Sequence, residues 1–239
     1  MTIISKEIVY RHSGVNLQGY MAWDDAFDEP RPAVLISHDA MGGKTAFEHG
    51  RAEAIAALGY VGFALDVYGK TSRADDAEQA YALMNPFIAD RQLLRDRLFA
   101  AQQVLAEQPE VDSAQMAAMG YCFGGLCSLE LARSGAAVKG VASFHGLLEA
   151  GEIATVTSAV SVLVLHGWDD PFVPSTQVDA FTQEMTAANI DWQLIAYGHA
   201  MHSFTNPGAT SPAEGVAYHP LVERRSWMAL QQFLAEIFA

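Results

Sequence analysis

The chain has 239 residues, 51% hydrophobic and 18% charged, which is apolar material for one large core and predicts a single domain over residues 1–239. Its 14 basic and 28 acidic side chains leave a formal net charge of −14. Such a surface repels nucleic acid and anionic lipid and offers a basic stripe to neither. Nowhere do about 18 consecutive apolar residues occur, which excludes a transmembrane helix.

Strand-like and helix-like segments alternate along the chain, the pattern of a mainly parallel sheet with helices on both faces. Ile8 to Arg11 and Leu17 to Ala22, with Gly14 between them, read as an N-terminal antiparallel hairpin. Further strands are expected at Ala33 to Ser37, Tyr60 to Asp66, Gln115 to Gly120, Val138 to Phe144, Ser161 to His166 and Trp192 to Tyr197. Helices are expected at Phe47 to Leu58, Ala74 to Met84, Asp90 to Glu107, Leu126 to Arg133, Ser175 to Ala188 and Leu221 to Ile237. Asn206 to His219, with Pro207, Gly208, Pro212 and Gly215, is the longest expected loop, either a lid or rim or a plain surface loop.

The stretch Gly120-Tyr121-Cys122-Phe123-Gly124-Gly125 closes the apolar run Ala114 to Met119 and opens the helical segment that follows. A Gly-x-nucleophile-x-Gly turn between strand and helix lifts a reactive side chain above a parallel sheet, and here that side chain is a thiol. Glycine suits 120 and 124 because β-carbons would crowd so tight a turn, whose backbone is expected to be strained toward positive φ. Cys122 would stand at a helix N-terminus, where the partial positive charge favours thiolate. Cys127, among Leu126, Leu129 and Leu131, reads as a core residue.

In this turn architecture an acid and then a histidine follow the nucleophile in chain order. After the strand ending at His166 comes Gly167-Trp168-Asp169-Asp170-Pro171-Phe172-Val173-Pro174, and after the strand ending at Tyr197 comes Gly198-His199-Ala200-Met201-His202-Ser203-Phe204. Two aspartates and two histidines compete for two roles.

Together these segments resemble the dienelactone hydrolase family, α/β-hydrolases with a Cys-His-Asp triad. The likeness runs through Asp66-Val67-Tyr68-Gly69, Glu78-Gln79-Ala80-Tyr81, the cysteine turn, the Gly-x-x-Asp-x-x-Val-Pro loop and Gly-His-x-x-His-Ser-Phe. The resemblance implies an α/β-hydrolase fold with Cys122 as nucleophile, Asp170 as acid and His202 as base, Asp169 and His199 being supporting neighbours. It also implies that the loop after Ala33 to Ser37 supplies half of an oxyanion hole, so that the N–H groups of Ala40 and Phe123 hold the developing anion. Asp39 stands where the family commonly has a glutamate close to the thiol that assists its deprotonation, and is one methylene shorter. His38 is expected to bond locally within the loop.

Dienelactone-cleaving members grip the substrate carboxylate with two arginines, at positions that read Ala77 and Asn206 here. An anionic substrate would lose both bidentate partners, so hydrolysis of dienelactone itself is expected to be weak or absent. Arg73 is the charge that could reach the pocket from the same loop. Tyr81, Tyr121, Phe123, Trp168, Phe172 and Phe204 are candidate lining residues for an apolar acyl or lactone group, and His145 is either structural or lining.

The expected function is hydrolysis of an ester, lactone or related activated carbonyl through a cysteine acyl-enzyme, acting on a small molecule, with no cofactor and no metal ligand set. Neither nucleic acid nor membrane is an expected partner, and a monomer or small homo-oligomer is expected. Two cysteines make no disulfide framework, and Met1-Thr2-Ile3-Ile4-Ser5-Lys6-Glu7 lacks a basic region leading into a long apolar run, so a reducing cytoplasm is the expected location. Two rival readings are a thiol redox protein, which would need Cys127 as resolving partner, and a non-catalytic small-molecule binding module on the same scaffold.

Overall fold

The structure, a computed structural model, describes residues 2–43, 45–151 and 159–239. The elements run β1 (Ile3–His12), β2 (Val15–Asp24), β3 (Arg31–Ser37), α1 (Ala46–Ala56), β4 (Val61–Ala64), α2 (Ala77–Ala89), α3 (Arg91–Ala106), β5 (Val111–Tyr121), α4 (Phe123–Ser134), β6 (Gly140–Phe144), β7 (Ser161–Gly167), α5 (Ser175–Ala187), β8 (Asp191–Tyr197), β9 (Thr210–Ser211), β10 (Val216–Ala217) and α6 (Pro220–Ile237). Eight strands form one sheet in the order β1-β2-β4-β3-β5-β6-β7-β8. β1 pairs with β2 and β2 with β4 antiparallel, and every other neighbouring pair is parallel. The expected mainly parallel sheet with an antiparallel N-terminal hairpin therefore holds.

The hairpin is closed by Ser13 and Gly14, both at positive φ (46° and 82°), as a two-residue turn matching the strands' twist requires. The parallel strands read as apolar runs because helices cover both faces. Alternate residues of each strand point to opposite faces: Leu35, Ala118, Val141 and Val164 join one core layer with Leu94 and Leu98 of α3, Leu129 of α4 and Phe181 of α5. Ile36, Met119, Ala142 and Leu165 join another with Ile55 of α1 and Leu230 of α6.

Local chemistry sets the helix ends. Thr45 and Glu48 form a capping box on α1, Asp76 accepts the N–H of Gln79 to start α2, Asp90 accepts that of Leu93 to start α3, and Gly135 closes α4 in the left-handed region. α2 therefore starts at Ala77 rather than Ala74, and it continues through Pro86 to Ala89 rather than stopping at Met84. Between α3 and α4, buried Glu130 lies 2.9 Å from Arg95 and 3.2 Å from Arg133, whose guanidinium also reaches Glu184 at 2.7 Å. Among the described residues no helix is long and apolar enough to cross a membrane.

Parallel strands all point their carboxyl ends one way, and the chain leaves each of them toward the same edge. Asp39 after β3, Cys122 after β5, His145 after β6, Asp170 after β7 and His202 after β8 are gathered there, where open α/β sheets bind ligands.

Candidate functional site

Cys122 occupies a tight strand-to-helix bend. It follows β5 directly and precedes α4, with φ 55° and ψ −115°, a conformation an L residue reaches only under constraint. The flanking glycines answer to crowding: a β-carbon on Gly120 would fall 2.1 Å from the Gly124 carbonyl oxygen, and one on Gly124 would fall 2.1 Å from that of Ser37. The helix begins at Phe123 rather than Leu126, immediately behind the sulfur. Cys122 N–H donates to Phe144 O at 3.0 Å, pinning the bend to β6. The thiol is partly exposed, whereas Cys127 is fully buried and its thiol is raised well above the usual range by that burial.

His202 Nδ1 lies 2.8 Å from Asp170 Oδ2, both side chains buried, and Asp170 Oδ1 accepts the Phe172 N–H at 2.9 Å. Because Nδ1 is engaged by the carboxylate, Nε2 is the ring nitrogen left for the Cys122 thiol, which lines the same cavity. Burial works against charge on the imidazole, but the Cys122 sulfur and the Asp170 carboxylate outweigh it and the pKa is pushed up to about 10. The other pair is arranged differently: His199 is 96% exposed and its Nδ1 is 3.6 Å from Asp169.

His145 sits behind His202, its ring edge-on at 5.2 Å, with Nε2 hydrogen-bonded to Thr205 Oγ1 at 2.8 Å. Burial and the neighbouring His202 depress its pKa well below the usual value, so it is a neutral neighbour. His166, buried on β7, is likewise depressed by burial. His38 is fully buried and accepts the Val67 N–H at 3.2 Å, tying the end of β3 to the chain leaving β4.

A cavity of about 220 Å³ opens beside the sulfur. Asp39, Ala40, Cys122, His202 and Ser203 line it together with Met41, Ala77, Ala80, Tyr81, Met84, Leu147, Phe172 and Val216. Asp39 Oδ1 accepts the Met41 N–H at 2.8 Å. Burial first, and then the nearby Glu48, raise its carboxyl pKa above the ordinary range. Phe123 is the first residue of α4, so its N–H has no partner within the helix. Ala40 is held through its carbonyl by Tyr68 Oη at 3.2 Å.

Several expected lining residues lie elsewhere. Tyr121 falls on the sheet face covered by α1 and α6, packed on Phe47 and Phe144, because strand parity places it with Met119. Phe204 belongs to the same layer, fully buried against His145 and Tyr197. Phe123 packs under Tyr68 and Phe87, outside the cavity. Trp168 is 55% exposed and does not reach the cavity, nor does the exposed Arg73, and His145 stands behind His202 rather than on the cavity wall. Conversely Met84, with Ala77, Ala80 and Tyr81, was legible as one helical stripe at spacing i, i+3, i+4 and i+7. Leu147 and Met41 carried no comparable signal.

The sequence pattern of the dienelactone hydrolase family matches residues 17–238. A dienelactone hydrolase-like promiscuous phosphotriesterase from metagenomic libraries is 36% identical, with a TM-score of 0.92 and 99% of both chains covered. An uncharacterized protein of Caenorhabditis elegans is 43% identical over 150 residues, 61% of this chain and 95% of that one. A Yersinia pestis protein provisionally named a carboxymethylenebutenolidase is 26% identical over 205 residues, 80% of this chain and 75% of that one.

Proposed function

This chain belongs to the dienelactone hydrolase family, and we propose that it hydrolyses small, uncharged carboxylic esters and lactones through an acyl-enzyme on Cys122. The observation that carries the reading is that Cys122 and His202 line one largely apolar cavity while Asp170 engages the imidazole through Nδ1 at 2.8 Å.

The Cys122 thiol proton passes to His202 Nε2, Sγ attacks the carbonyl carbon, and a C–S bond forms as the carbonyl oxygen takes the negative charge. The N–H groups of Ala40 and Phe123 receive that charge. Collapse of the tetrahedral species breaks the bond to the leaving oxygen, to which His202 gives its proton. A water then attacks the thioester, His202 takes the water's proton, and the carboxylic acid leaves as the thiol is restored. Asp170 fixes the ring's tautomer and supports its charged form throughout.

Uncharged substrates follow from the lining. Apart from His202, no cationic side chain among the described residues lines the cavity, while Asp39 is a carboxyl and Ala77 stands where the family's dienelactone-cleaving members carry an arginine. Asn206 is turned to its own loop, its Oδ1 accepting the Gly208 N–H at 2.8 Å. Cys127, fully buried in the core, is poorly placed to resolve a disulfide, which disfavours a redox role.

The test is p-nitrophenyl acetate with wild type, Cys122→Ala and His202→Ala. A burst of p-nitrophenol followed by turnover, lost in both variants, supports the reading; turnover that survives Cys122→Ala refutes it. The 36%-identical phosphotriesterase adds a second substrate class, and a phosphotriester with a p-nitrophenolate leaving group belongs in the same panel.

A further inference from the structure

The hydrogen bond between Asp170 and His202 joins two loops, one after β7 and one after β8, and its length depends on how those loops are held against each other. The loops are bonded directly through Asp169 N–H and Ala200 O at 2.9 Å, and Gly215 adds a contact to each of them. Its carbonyl accepts the His202 N–H at 2.9 Å. Its Cα faces the ring of Pro171, the residue after Asp170, so closely that a β-carbon would fall 2.2 Å from Pro171 Cγ and 2.5 Å from Cδ. Its φ of 78° lies in the left-handed region, which removes a second reason for any other residue to stand there.

The grip continues on the other side of the histidine. Ala217 N–H donates to His202 O at 3.1 Å, so the backbone of His202 is bonded both before and after Val216, with which it forms an isolated parallel bridge. The strip is stiffened from outside, since Val216 and Ala217 pair antiparallel with Ser211 and Thr210 and Tyr218 N–H donates to Ala209 O at 3.0 Å. Between the two grips, Val216 turns its side chain into the cavity.

We propose that the ribbon from Ala209 to Tyr218 is a clasp that sets the geometry of the catalytic pair, with Gly215 as the positioning residue that fixes His202 against Asp170, and Val216 as a wall of the acyl pocket. The clasp rests on the Cys122–His202–Asp170 reading and adds to it a residue that touches no substrate atom. Displacement by a fraction of a bond length is enough to matter, because a reacting group misplaced by about 1 Å loses about a hundredfold in rate.

Gly215→Ala puts a methyl into Pro171 and is the direct probe. The expected result is a kcat lowered about tenfold to a hundredfold with KM nearly unchanged. The low-field proton resonance of His202 Nδ1–H should shift or broaden in the same variant. Replacing Pro171 by Ala in that background removes the atoms the methyl meets, and Pro171→Ala/Gly215→Ala should recover most of the lost kcat and the resonance. A melting curve accompanies each variant; if Gly215→Ala does not fold, the double variant is the comparison, and its recovery of fold and turnover supports the contact. Wild-type kcat in Gly215→Ala overturns the proposal, and so does a loss that the second substitution does not relieve. His202→Ala, measured alongside, separates the two claims: if it keeps full turnover the triad fails, whereas a silent His202→Ala beside a fully active Gly215→Ala sinks the clasp alone.

Discussion

Asp170 Oδ2 and His202 Nδ1 stand 2.8 Å apart with both side chains buried, so the carboxylate acts on one ring nitrogen instead of on water. Its effect is visible in the ring, whose pKa is pushed up from 6.5 to about 10 by the Cys122 sulfur and Asp170 against the opposing effect of burial. A base whose folded pKa is raised contributes stability that is fully present below its unfolded pKa and is lost as pH rises toward about 10. Asp170→Asn removes the charge and weakens the bond. Its His202 titration, followed by NMR, should therefore move to lower pH, the alkaline loss of stability should begin earlier, and kcat should fall by roughly 10²–10⁴. An unmoved titration would show that the carboxylate does not tune the ring.

Asp39 illustrates the opposite sign. Burial and then Glu48 raise its carboxyl pKa from 3.8, so the folded state holds this proton more tightly than the unfolded chain and is penalised once the group ionises. Asp39→Asn keeps an acceptor for the Met41 N–H and should raise Tm at pH 8, with the gain shrinking toward pH 4. A gain of equal size at both pH values would mean that charge is not the cause.

Charge selection can be reversed by one residue. Ala77 lines the cavity on the first turn of α2, and Ala77→Arg adds a guanidinium to a pocket that, among the described residues, has His202 as its cationic side chain. KM for carboxylate-bearing lactones should drop about tenfold or more, since a hydrogen bond to a charged group contributes roughly 1.5–3 kcal/mol, while KM for neutral esters stays level or rises. Equal change for both substrate types would contradict an electrostatic basis for the preference.

Stability away from the site depends on Glu130. It is fully buried between Arg95 and Arg133, so Glu130→Ala leaves two guanidiniums without their shared partner inside the protein. Urea unfolding should report a loss of about 3–5 kcal/mol, the usual cost of breaking a buried pair from one side. A loss near zero would mean that water or rearranged carboxylates, Glu184 among them, replace the missing charge.

The sequence made the strands and their order along the chain readable because apolar runs bounded by glycine and polar loops are local signals. Helix starts were less readable. Gly124 and Gly125 read as turn, yet they lie inside α4, because the close approach of Ser37 O and Ser143 Oγ to their α-carbons leaves room for nothing larger. The helix expected to end at Met84 runs on through Pro86 as α2, with Met84 and Phe87 anchored in the core on either side. At the site, the glycine spacing marked Cys122, the loop order offered Asp169 or Asp170 and His199 or His202, and the family resemblance singled out Asp170 and His202, which are the pair in hydrogen-bond contact, with Cys122 and His202 on one cavity. Of the expected aromatic lining Tyr81 and Phe172 do line the cavity, whereas Tyr121 was misplaced because an aromatic beside a catalytic turn looks the same in sequence on either sheet face, and strand parity sent it to the face without the cavity. Val216 was hidden for another reason: its part in the cavity depends on the rim loop folding back on His202, a contact between residues far apart in the loop that no local pattern encodes.

The most direct measurement is the identity of the atom that carries the acyl group. Wild-type protein mixed with an excess of p-nitrophenyl acetate, quenched in acid within the burst and digested, should yield one acetylated peptide, the one containing Cys122, with a thioester that hydroxylamine removes. The adduct should be absent in Cys122→Ala and should not build up on the burst timescale in His202→Ala. Acetylation elsewhere with Cys122 unmodified, together with turnover that persists in Cys122→Ala, would contradict the account.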